Sequence, residues 1–178
     1  MNTHYTVSLP VKAYIKKYVA TVEGYPINYS SNNMLCMIVR AYLQNKCRSG
    51  LSKQQLQTAV ASRNECVEIK IPRSEKNIRT IGTYISSDNI ILINRFLEFW
   101  FEAALHEFIR NYTKGNIGRY RGLKDAYVAF ADHYNIILEE DISFEGLKKI
   151  DYRNRLKKSE INLFTLVPSP NTPFRQAS

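Results

Sequence analysis

Apolar and polar positions alternate in two short stretches of this chain and recur at helical spacing through most of the rest. In Tyr5-Thr6-Val7-Ser8-Leu9-Pro10, Val7 and Leu9 share one face. That alternation predicts a short strand near 5–9, closed by proline. Cys66-Val67-Glu68-Ile69-Lys70-Ile71-Pro72 repeats the pattern more sharply and predicts a strand near 66–71. Between the two, Ala13, Tyr14, Tyr18, Val19 and Val22 predict a helix over about 11–22. Gly24, Pro26 and Asn28 break it. Ser30-Ser31-Asn32-Asn33 then offers N-cap oxygens to a strongly apolar helix over about 34–44. A polar helix is expected over about 51–62.

Ser86-Ser87-Asp88-Asn89 opens the longest periodic run, a helix over about 90–114. Apolar residues from Ile90 to Ile109 cover much of its circumference, which predicts a central place in the core. Arg95, Glu98, Glu102, His106, Glu107 and Arg110 interrupt that surface, too many ionisable groups for an ordinary membrane span. Gly115 to Gly122 reads as a glycine-rich basic loop. A helix over about 123–134, a turn over 135–140 and a last helix from Ser143 to about Lys158 follow. The tail carries Pro168, Pro170 and Pro173 and is expected to be extended or disordered. The fold class expected is mainly α with a short two-stranded antiparallel β ribbon, a central long helix and a C-terminal helical pair. The regions expected are a core over 1–114, a basic helical region over 115–160 and a tail over 161–178.

Charge changes the picture. Twenty-five Lys and Arg face 16 Asp and Glu, a formal charge of +9. Such an excess favours polyanions, because each cation near a phosphate backbone releases counterions. Three cysteines, Cys36, Cys47 and Cys66, form no C-x-x-C pair and make poor material for a disulfide framework. The polar opening Met1-Asn2-Thr3-His4-Tyr5 lacks the apolar stretch of a signal peptide. A reducing, cytoplasmic setting without membrane contact is the expectation.

Candidate chemistry is sparse. The histidines are His4, His106 and His133, and they form no metal-binding spacing. Glu102 and His106 stand four apart on the long helix and read as an i,i+4 pair. The sequence holds no P-loop, dinucleotide fingerprint or G-x-S-x-G. Neither catalysis, a cofactor nor a metal is expected. A metal-dependent nuclease would need converging carboxylates, and Glu139, Glu140 and Asp141 supply acids in a turn.

Two parts of the chain repeat one order of signals. Val7-Ser8-Leu9-Pro10 parallels Ile69-Lys70-Ile71-Pro72, and Ser30-Ser31-Asn32-Asn33 parallels Ser86-Ser87-Asp88-Asn89. Over about residues 4–112 this order resembles a duplicated ribbon-helix-helix unit. The resemblance implies two antiparallel strands whose outward side chains, Thr6, Ser8, Glu68 and Lys70, enter the DNA major groove. It also implies that Ser31, Asn32, Ser87 and Asn89 hold phosphates at helix N-termini. Glu68 departs from it, being acidic on a face meant for DNA. The plainer alternative is two unrelated strands closing a helical core, with serine and asparagine serving only as caps. If the halves pair within one chain, a monomer suffices for one site; otherwise a homodimer is expected. As a whole, the chain resembles small basic proteins of phages and mobile elements of gut Bacteroidetes, centred on its first forty residues and on Gly122 to Arg155. That likeness implies no established activity.

The C-terminal part concentrates positive charge. Lys148, Lys149, Arg153, Arg155, Lys157 and Lys158 are opposed by Asp151 alone, with Tyr152 among them. The helix before it and this one are similar to the last two helices of a helix-turn-helix module, although the turn between them is long and acidic. A solvated basic face is the plain alternative. Arg119 and Arg121 in the glycine loop, with Lys124 just beyond, are further phosphate candidates. The loop's G-x-x-G string resembles the clamping loop of KH domains but lacks the basic residue inside it. The function expected is non-enzymatic binding of nucleic acid, DNA before RNA, as an accessory factor in transcription or replication. The alternative is a protein-interaction or assembly factor that uses Tyr152, Leu163, Phe164, Leu166 and the proline tail.

Overall fold

Alternating side chains settle one face of the first layer. Val7, Leu9 and Val11 of strand β1 (His4–Val11) and Val67, Ile69 and Ile71 of strand β4 (Glu65–Pro72) are buried, while Thr6, Ser8, Glu68 and Lys70 are exposed. The two strands run antiparallel in full register, with Val7 opposite Ile69 and Thr6 opposite Lys70. The computed structural model describes residues 4–30, 32–44, 63–72, 84–115 and 122–166. Its other elements are α1 (Ala13–Glu23), β2 (Ile27–Asn28), α2 (Met34–Tyr42), β3 (Leu43–Gln44), β5 (Tyr84–Ile85), α3 (Ser87–Gly115), α4 (Leu123–His133) and α5 (Phe144–Leu166).

The expected two-stranded ribbon is corrected here to a three-stranded mixed sheet of order β1-β4-β2. Strand β2 pairs parallel to β4, with Ile27 beside Ile69 and Asn28 beside Lys70, and the Tyr29 N–H donates to the Lys70 carbonyl at 2.9 Å. The reason is backbone satisfaction. Strand β4 carries a second row of N–H and C=O groups, and β2 pairs part of that edge while burying Ile27 beneath it. A second, two-stranded sheet joins β3 to β5 antiparallel.

Helix α3 is the spine. Ile93, Leu97, Phe101, Leu105 and Ile109 recur every fourth residue and are essentially buried. They form one ridge against the other elements. Helices α1, α2, α4 and α5 and strand β1 all pack on α3. Phe101 meets Tyr14, Tyr18 and Phe130 at ring distances of 4.8, 5.4 and 5.5 Å, mostly edge to face. Buried Asn94 is satisfied by the carbonyls of Pro10 (2.9 Å) and Ile90 (3.0 Å), which fixes α3 to the end of β1. The apolar circumference is not all interior: Leu92 and Phe99 are exposed, Phe99 by 67%.

The other expected elements lie close to their predicted bounds. Helix α5 continues to Leu166, into the stretch read as tail. The expected polar helix over 51–62, the glycine loop over 116–121 and the proline segment 167–178 lie outside the described residues. Between α4 and α5 the chain turns back through Asn135 (φ 54°) and Glu139 (φ 70°). The acids of that turn close it. Asp141 accepts from the Ile137 N–H at 2.6 Å and pairs with Lys17 at 2.6 Å, and Glu139 accepts from the Phe144 N–H at 2.9 Å. Among the described residues no three His, Cys, Asp or Glu side chains converge as a metal-holding group, and no helix is long and apolar enough to cross a membrane.

Candidate nucleic-acid interface

The sequence-predicted residues that are described lie apart: on the open face of the sheet, at the N-termini of α2 and α3, and on helices α4 and α5. Thr6, Ser8, Glu68 and Lys70 do share the open face of the sheet, with Asn28 beside Lys70. Glu68 and Lys70 offset each other there. Both strands come from one chain, so the pairing needs no second copy.

The predicted caps act differently from the expectation. Asn33 caps α2, its side-chain oxygen accepting from the Cys36 N–H at 2.9 Å while its amide donates to Glu23. Asn32 is exposed beside that cap, its N–H donating to Ser30 Oγ at 3.3 Å. Ser31 lies outside the described residues. At α3 the capping oxygen is Ser86 Oγ, which accepts from the Asn89 N–H at 3.3 Å. Ser87 is buried, and the Asn89 amide donates to the Tyr42 carbonyl at 3.2 Å. Asn89 therefore ties α3 to α2.

Much of the N-terminal positive charge is held within the fold. Lys12 pairs with Glu98 at 2.8 Å, Lys16 with Glu65 at 2.7 Å and Lys17 with Asp141. All three lysines lie on or beside α1, and each reaches a different element. Desolvation works against the charge on Lys12, but the hydrogen bond and charge of Glu98, together with Tyr14, outweigh it and raise the pKa. The bond to Glu65 raises that of Lys16 in the same way.

The C-terminal helices are arranged otherwise. Leu147, Asp151 and Asn154 of α5 face inward, while Lys149, Tyr152, Arg153 and Leu156 form an exposed stripe at i, i+3, i+4, i+7 spacing. Tyr152 is 60% exposed. Lys149 and Arg153 have no carboxylate within ion-pair distance among the described residues, and the same holds for Arg110, Lys114 and Lys124. Lys148 differs: it pairs with Glu145 at 2.8 Å and lies over the Phe144 ring. Arg119 and Arg121 lie outside the described residues.

Beneath this stripe sits a polar cluster that sequence reading missed. Asp151 is fully buried, yet its carboxylate accepts from three side chains. They are His106 Nδ1 at 3.1 Å, Tyr127 Oη at 2.8 Å, and Arg155. Burial and the bond to Asp151 push the Tyr127 phenol up to about 12, so it stays a donor. Burial works against the Arg155 charge, but Asp151 outweighs it and holds that guanidinium above its ordinary value. The cluster joins α3, α4 and α5 by one buried carboxylate and orients His106 and Arg155. The sequence signal available was Asp151 standing alone among basic residues, four positions before Arg155 and four after Leu147.

The front of this cluster opens on two adjoining clefts, of about 260 Å³ and about 200 Å³. His106 and Arg110 line both. Phe99, Glu107 and Asn154 complete one side, and Leu123, Asp151 and Arg155 contribute to the other. Of the predicted phosphate residues, Arg155 is thus brought beside Arg110, which sequence reading had not singled out. The chain matches no family model, no curated protein and no solved structure.

Proposed function

We propose that this protein binds nucleic acid, DNA before RNA, through the C-terminal helices, as a non-enzymatic accessory factor in transcription or replication. The supporting observation is the exposed stripe of α5. Lys149 and Arg153 flank Tyr152 without carboxylate partners among the described residues, whereas Lys12, Lys16 and Lys17 each have one. Cations without acid partners can neutralise phosphates, which frees the counterions condensed on the nucleic-acid backbone, and that release drives association. Tyr152 adds a ring to which a sugar or base can pack. Arg110 and Lys114, near the end of α3, and Lys124, near the start of α4, are further exposed cations without an acid partner among the described residues.

The sheet contributes less on this reading. Its open face carries Glu68 against Lys70 and no net charge, so it supplies hydrogen-bonding groups without attraction. A labelled duplex titrated across a salt series tests the proposal. Binding at low salt that weakens steeply as salt rises is expected, and absence of binding at low salt overturns it.

A protein-interaction role is the second reading. It is favoured by Met34 and Met37, which are 54% and 55% exposed on one side of α2. Co-purification of a protein partner that survives nuclease treatment, and is lost in a Met34→Ser, Met37→Ser variant, supports this reading over the first.

A further inference from the structure

We infer that the two adjoining clefts between α3 and α5 together form a binding site for single-stranded nucleic acid, with Phe99 as a base-stacking platform and Arg110 and Arg155 as phosphate contacts. This deepens the reading above and rests on it. Four features point the same way. First, Phe99 is the most exposed large apolar side chain among the described residues, and it stands at the rim of a cleft where a flat, apolar partner can cover it. Second, the acceptors beside it suit base edges. Glu107 lines the same side, and the Asn154 amide nitrogen is anchored on the Glu102 carbonyl at 3.1 Å, which leaves its amide oxygen without a partner among the described residues. Both accept hydrogen bonds, as the exocyclic amino groups of bases require. A carboxylate there repels phosphate, so phosphate belongs on the other side.

Third, that other side is cationic. Arg110 is exposed and without an acid partner among the described residues, and Arg155 is tethered through one nitrogen while its side chain stays 47% exposed. Its remaining N–H groups are free to meet an anion, and the buried Asp151 fixes where they point. Fourth, the separation fits a strand. Phe99 and Arg110 lie about 16 Å apart along the axis of α3. One mononucleotide does not bridge that distance, whereas a short strand does. A duplex keeps its bases stacked inside, so it cannot offer one to Phe99 without paying for unstacking.

Fluorescence anisotropy of the full chain decides the matter with four probes: a short single-stranded DNA, the RNA of the same sequence, the DNA duplex, and a nucleoside monophosphate. Single strands are expected to bind more tightly than the duplex, and the monophosphate far more weakly than either. The DNA and RNA arms show which sugar is preferred. Phe99→Ala is expected to weaken single-strand binding about tenfold, the loss of one stacked base, and to leave duplex binding unchanged. Phe99→Trp is expected to restore it. Because Phe99 is exposed, a thermal melt of both variants should match the parent. Single-strand binding that ignores Phe99→Ala, or monophosphate binding as tight as the strand, overturns this inference while leaving the wider reading intact. No binding of any probe at low salt overturns both.

Discussion

The sheet and the C-terminal helices both present polar side chains to solvent, but they use charge differently. On the sheet, Thr6, Ser8, Glu68 and Lys70 alternate outward from a buried row of valine, leucine and isoleucine, and the one acid stands next to the one base. Nearby, Lys12 and Lys16 are spent on Glu98 and Glu65. On α5 the single central acid, Asp151, has been drawn inside, where it holds His106, Tyr127 and Arg155. With that acid inside, Lys149 and Arg153 stand outside without a carboxylate partner among the described residues. A basic surface is thus made as much by burying a carboxylate as by adding lysines. The same step orients the groups that line the cleft.

The sharpest way to break this contrast is to remove the buried acid. Asp151→Ala leaves a tyrosine hydroxyl and a histidine without their acceptor and is expected to cost roughly 3 kcal/mol of stability in urea denaturation. Glu68→Ala, on the open sheet face, is expected to stay within about 0.5 kcal/mol. Equal losses would mean that Asp151 is no more structural than a surface acid.

Next in size is the charge itself. Reversing both exposed cations, Lys149→Glu with Arg153→Glu, is expected to weaken DNA binding on the order of tenfold or more at low salt. Lys70→Glu should change it by less than about twofold. The opposite ranking would return the binding face to the strands, as the ribbon-helix-helix resemblance implies.

The smallest effect sharpens the account of the cluster. Tyr127→Phe removes one of three bonds to Asp151 and is expected to cost about 1 kcal/mol. The folded-state pKa of Tyr127 is raised, to about 12 from 10.0, so its stabilising contribution is complete below pH 10 and is lost as pH rises through 12. The loss of stability over that window should therefore be shallower in Tyr127→Phe, measured by urea midpoints at successive pH values.

Sequence reading reached the long elements because their signals are periodic. Val67, Ile69 and Ile71 mark a strand by alternation, and Ile93 to Ile109 mark a buried ridge by spacing. Their partners were harder. Strand β2 rests on Ile27 alone, set among Tyr25, Pro26 and Asn28, and no period exists in two residues. Its pairing with β4 is a long-range event fixed by the edge it covers. The caps were legible as clusters of serine and asparagine but not as individuals. Asn33 and Ser86 do the capping, while the neighbours singled out, Ser87 and Asn89, are buried or bonded to α2. The Asp151 cluster was illegible for another reason. His106 was read with Glu102 because both lie on one helix, whereas its bond to Asp151 spans 45 positions and depends on how α5 packs. Leu92 was read among the apolar positions of the long helix, and the packing of α3 turns it outward; Phe99, on no apolar face of that reading, was not singled out.

The central claim is that free cations on α5 meet a phosphate backbone. The most direct measurement is the slope of log affinity for DNA against log salt, in the parent and in the Lys149→Ala, Arg153→Ala double variant. A steep negative slope in the parent, shallower by about two units in the variant, is the result predicted. Equal slopes in the two proteins, or a flat line in the parent, would contradict it.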